Sequence, residues 1–157
     1  MSTLEVFTAI QSSSFAVTVG HQNHLFGAVA QLAHITGLLL VLTSVLLVSL
    51  RLFGVGLTSL STAQLANATS RLVWVGLALL VVSGFLIFAP AAVHYYPNDI
   101  FWFKLFLLAS ALLIHVTLYR KVTRAETPGV LTARATAVIA LSLWFGVAFA
   151  GRFVGFF

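Results

Sequence analysis

The chemistry available to this chain is concentrated in His34, Lys104 and Arg152. Each stands within or at the end of an otherwise apolar run, where an ionisable side chain is costly and is by default a functional hypothesis. His34 lies in Gln31 to Arg51, QLAHITGLLLVLTSVLLVSLR. It is 17 residues before Arg51, Lys104 is 16 before Arg120, and Arg152 is 18 after Arg134. At about 1.5 Å per residue, all three stand roughly 24 to 27 Å from the arginine-rich boundary. His94 and the Tyr95-Tyr96 pair fall just beyond that level, as do His21 and His24.

A layer of this kind suits a b-type haem. Neutral imidazole is a standard axial ligand, and a bundle of apolar helices supplies a pocket of low dielectric constant. Lys104 and Arg152 could then meet the propionates at the aqueous edge. For the second ligand the spacing favours His94 as partner to His34, ahead of His24 or His21, with a five-coordinate iron as the alternative. His115 is only five residues from Arg120, about 8 Å from the boundary. Two ligands of one iron need nitrogens roughly 4 Å apart, so His115 does not share an iron with His34 in regular helices. It is either structural or the single ligand of a second, inner haem, with a partner ligand from another subunit as the alternative.

Plainer readings stand beside these. Lys104 and Arg152 are near span ends, where long cationic side chains snorkel to headgroups, and a lone histidine can simply pack in a helix interface. Clustered histidines also suit copper, but there is no cysteine and the single methionine is Met1, which argues against a Cu(I) carrier. The lack of cysteine also excludes disulfides, iron-sulfur clusters and c-type haem attachment. The three acidic residues, Glu5, Asp99 and Glu126, lie outside span centres, so no carboxylate relay is encoded.

The elements that must carry these groups are membrane helices. Of the 157 residues, 61% are hydrophobic and 7% charged, and the mean hydropathy is +1.09, against about 25% charged residues in a soluble domain. The expected fold is an all-α integral membrane bundle of four transmembrane helices, about 26–53, 71–89, 99–121 and 133–156, in a single domain. A short interfacial helix at about 3–18 precedes them, since Leu4, Phe7, Ile10 and Phe15 share one face among polar residues. Ser61 can cap one turn of interfacial helix through Leu65, Pro90 and Pro97 punctuate the next connection, and Thr127-Pro128-Gly129 forms the last turn. Gly76, Ser83 and Gly84 are small enough to let helices approach closely.

Six of the eight basic residues, Arg51, Arg71, Arg120, Lys121, Arg124 and Arg134, fall at one end of the spans. The positive-inside rule makes that end cytoplasmic and both termini outward, in a bacterial inner membrane. It also accounts for the net charge of +5 without a nucleic-acid partner.

Taken together, LAHITG and SLRLFG of the first span, WVGLALLVVSGFLIF of the second, YPNDIFWFK entering the third and the terminal AGRFVGF resemble a bacterial family of small four-span membrane proteins. That family is distantly similar to copper-resistance D proteins and b-type membrane cytochromes. The resemblance covers about residues 20–157 and implies an inner-membrane bundle, with His34, Trp74, Gly84, Asn98, Lys104 and Arg152 on its pattern positions. Di-haem cytochromes place four histidines in two layers, whereas most histidines here fall in loops.

The expected function is therefore that of a haem b protein with its site near the outer face. It would exchange electrons with a quinone or a periplasmic partner, so any activity is that of an oxidoreductase or electron-transfer component. The alternatives are an accessory subunit of a larger membrane complex, a homo-oligomer among the possible assemblies, or a metal-handling protein.

Overall fold

The computed structural model describes residues 2–125 and 128–156. Glu126 and Thr127, the latter the first residue of the expected last turn, lie outside them. Among the described residues every regular element is helical. In chain order they are α1 (Thr3–Gln11), α2 (Ser14–Gly20), α3 (His24–Phe53), α4 (Thr62–Phe88), a 3-10 turn (Ala89–Ala91), α5 (Ala92–Tyr95), α6 (Asp99–Ile114), a π-helical turn (His115–Tyr119), α7 (Arg120–Arg124) and α8 (Val130–Phe153).

Four runs are long and apolar enough to cross a bilayer: His24–Phe53, Thr62–Tyr95, Asp99–Arg124 and Val130–Phe153. This is the composition of a multi-pass membrane protein. Local chemistry sets most of their ends. Asn23, Ser61 and Asn98 each accept a backbone N–H from the first turn of α3, α4 and α6. Gly54 closes α3 in the left-handed region at φ 77°, where a side chain would be strained.

Several boundaries differ from those expected. The N-terminal segment is two helices, because Ser12 ends the first and the Ser13 hydroxyl caps the second by accepting from the Ala16 N–H. Ser61 starts the full 27-residue α4 instead of an isolated turn; Ser61 and Gln64 make a reciprocal capping box, and no breaker follows before Pro90. The fourth span begins three residues earlier than expected, at Val130, and ends at Phe153. The third span carries a π-helical turn that hydropathy does not register.

The core runs along α3. Gly37 of α3 and Gly76 of α4 meet backbone to backbone, while Val41, Val45 and Val48 are buried in the same core as Ala137, Ala140 and Trp144 of α8. Helix α8 in turn packs on α6, with Leu107 seated against Gly146. The packing order is thus α4, α3, α8, α6, and α4 and α6 scarcely touch.

At the end away from the arginines, α1 folds over this seam. Phe7 is buried among Phe88, Tyr96, Phe101 and Trp102, with centroid distances of 5.4 to 6.3 Å. Phe15 of α2 stacks on Phe85 at 5.5 Å. The Val93 N–H, next to the break made by Pro90, donates to Gln11 Oε1 at 2.7 Å. The expected interfacial segment is therefore bound to the bundle, through aromatic contacts and a hydrogen bond.

Candidate functional site

All four long helices contribute to one layer. Helix α3 brings His34, α4 brings Ser83 and Gly84, α6 brings Lys104 and α8 brings Gly151. His34 Nδ1 lies 3.0 Å from Ser83 Oγ. The Ser83 hydroxyl has a single proton, and it donates that proton to the carbonyl of Leu79. Its oxygen can therefore only accept from the imidazole, so Nδ1 carries the hydrogen.

In a neutral ring this proton count leaves the lone pair on Nε2, available to a metal ion or to a hydrogen-bond donor. Gly84 makes room for the ring, since a Cβ there would lie 3.1 Å from His34 Cε1. Lys104 lies along Gly151, where a Cβ would be in ordinary contact with its Cε and Nζ at 3.4 and 3.5 Å.

Lys104 lies within Coulombic range of His34, and no carboxylate among the described residues acts on it. Asp99 and Glu5 are exposed, and Glu5 is occupied in the α1 capping box. The lysine stem is largely surrounded, with its charge uncompensated by the described protein. Asn98, buried, anchors the start of α6: its Oδ1 accepts from the Phe101 N–H at 3.0 Å, and its Nδ2 donates to the Val154 carbonyl at 3.3 Å.

The structure does not gather every residue singled out from the sequence. Arg152 is exposed, with its guanidinium 4.6 Å over the Phe156 ring. It neighbours Gly151, but successive helical residues point about 100° apart, so Gly151 faces Lys104 while Arg152 faces away. His94 is exposed on α5, edge-on to Tyr95. Ser83 marks the level of His34, whereas His94 lies beyond the break at Pro90, on the short α5. His21 and His24 are exposed at the ends of α2 and α3.

His115 opens the π-helical turn and stacks on Tyr119 at 4.9 Å, edge-on to the buried Trp144 at 6.5 Å. Its Nδ1 is buried without a hydrogen-bond partner. A cavity of about 120 Å³ beside it is lined by Ser44, Asn67, Ser70 and Thr123 among others. Ser70 is thirteen residues before Ser83 on α4, so His115 belongs to a layer nearly 20 Å from His34. Among the described residues no group of three or more His, Cys, Asp or Glu side chains comes together.

Ser83 was noted in the sequence only as a small residue. Its partnership with His34 has a faint signal there, in the adjacent Ser83-Gly84 pair, where a hydroxyl stands beside a gap large enough for a ring.

Fold and layer together define a small, all-helical, multi-pass membrane protein with a histidine–serine pair in its bundle and a lysine beside it that no described carboxylate compensates. Residues 7–157 match the model of DUF6644, a family of unknown function, and the chain belongs to that family. No curated protein and no solved structure matches the chain.

Proposed function

We propose that this protein is a haem b-binding component of the bacterial cytoplasmic membrane, with His34 as the protein's ligand to iron and with quinone or a periplasmic protein as redox partner. The observation that carries this reading is the proton arrangement at Ser83, which turns the lone pair of His34 to Nε2. A ligating histidine commonly donates its other N–H to a fixed acceptor, which sets the tautomer and ring orientation. Lys104 supplies a cation for a propionate, and Gly84 and Gly151 keep the layer free of competing side chains. The residues fit one histidine ligand. His94 is on α5, beyond the break at Pro90, so His34 is the histidine of this layer that would hold the group.

When bound, haem would supply one-electron chemistry, and the chain's own residues would hold and orient it. The arginine-rich end faces the cytoplasm by the positive-inside rule, which puts His34 toward the outer face and both termini outside.

The test is the absorption spectrum of the detergent-purified protein, as isolated and after addition of haemin. A Soret band with reducible b-type bands, weakened by His34→Ala, supports the reading. A colourless protein that fails to take up haemin overturns it.

A second reading, an accessory subunit, is favoured by α6. This helix packs chiefly on α8, leaving Phe103, Phe106 and Leu113 exposed. It predicts a fixed partner on co-purification and no chromophore.

A further inference from the structure

At the end opposite His34, the structure forms a second site that the haem reading does not use. Arg51 at the end of α3, Arg124 at the end of α7 and Arg134 in the first turns of α8 line one cavity of about 590 Å³. Ser61 and Thr62, at the start of α4, add hydroxyl groups to its wall. The remaining wall is apolar, with Leu52, Phe53 and Val130 among its residues. Arg51 is held in place, for its Nε donates to the Leu60 carbonyl at 2.6 Å, leaving the terminal NH2 groups as donors.

Among the described residues no carboxylate lines this cavity, so the three guanidinium groups give it a positive potential that favours an anion. Guanidinium forks match the oxygens of a phosphate in pairs, better than a lysine would. The cavity is far larger than a phosphate ion, and cationic and apolar walls in one concavity suit an amphiphile. It also lies where the spanning helices end, at headgroup depth. Basic pockets between transmembrane helices are a known way of holding anionic headgroups.

We infer that this cavity binds the phosphodiester headgroup of an anionic phospholipid, with Arg51, Arg124 and Arg134 on the phosphate and the Leu52, Phe53 and Val130 wall against the start of the acyl chains. The inference is independent of what His34 binds.

Binding is read by native mass spectrometry of the detergent-solubilised full chain titrated with phosphatidylglycerol, with phosphatidylcholine and with inorganic phosphate. One phosphatidylglycerol per chain is expected to persist, with phosphatidylcholine and phosphate retained far more weakly. Arg134→Gln, at an exposed position, should weaken phosphatidylglycerol about fivefold, the weight of one basic residue near an anionic lipid surface. Arg124→Gln should do the same. Arg71→Gln removes the same charge at the same end, outside the cavity, and should change retention little. Equal loss in Arg71→Gln and Arg134→Gln would mean diffuse attraction and overturn the site. So would retention of phosphatidylcholine equal to that of phosphatidylglycerol, whereas tight inorganic phosphate would overturn the lipid assignment.

Discussion

Gly37 and Gly76 face each other across the α3–α4 contact so closely that a Cβ built on either would lie 2.7 Å from the other's carbonyl oxygen. The contact is reciprocal, and it brings two backbones within reach of weak Cα–H···O interactions, a recognised mode of helix association in lipid. It also draws α4 in toward α3 seven residues from Ser83, so the His34–Ser83 bond depends on it.

Gly37→Ala or Gly76→Ala should therefore force the helices apart and cost about 1 to 3 kcal/mol, the usual range for overpacking. Denaturant titration in mixed micelles measures this. Gly27→Ala is the control, because nothing stands within 4 Å of a Cβ at that position in the same helix. Equal effects at Gly27 and Gly37 would show that helix propensity, not the backbone contact, is being measured.

Ser83→Ala removes the acceptor that assigns the proton to His34 Nδ1. Nitrogen NMR of histidine-labelled protein should find Nε2 as the unprotonated nitrogen in the parent chain and a mixture of tautomers in the variant. Haemin affinity should fall about 10- to 100-fold, as for other lost partners of ligating histidines. An unchanged tautomer would mean that Ser83 does not set it.

Lys104→Met separates stability from binding. Removing a cation that no described carboxylate compensates should stabilise the protein without added ligand by about 1 to 3 kcal/mol. The same change should weaken haemin retention by depriving a propionate of its partner. A loss of stability instead would show that the lysine is already held by a compensating group.

The histidine layers should respond differently. His115→Phe keeps an aromatic ring beside Tyr119 and removes a buried nitrogen that has no partner, so its cost should stay within about 1 kcal/mol. Its spectrum with haemin should match the parent's, in contrast to His34→Ala. Trp144→Ala, at a fully buried ring against His115, should cost about 3 to 5 kcal/mol. A spectral loss in His115→Phe would move the iron site to the other layer.

These outcomes turn on a division between what one dimension and three dimensions encode. Composition and run length were enough to read four spans, because the bilayer demands long apolar helices. Their ends were legible where a local group sets them, as at Asn98. The common level of His34 and Lys104 followed from counting residues, since rise along a helix is a constant of the backbone. Rotation about each helix axis has no such constant. It comes from contacts such as Gly37 on Gly76 and Leu107 on Gly146, and it decides that Ser83 meets His34, that Lys104 crosses Gly151 and that Arg152 turns out to Phe156. The π-helical turn at His115 changes the facing of a helix without changing its hydropathy. The sequence by itself thus determined a helical membrane chain with polar groups at certain depths. Which of those groups touch was decided by tertiary packing, because small residues let backbones approach and so choose the faces that meet.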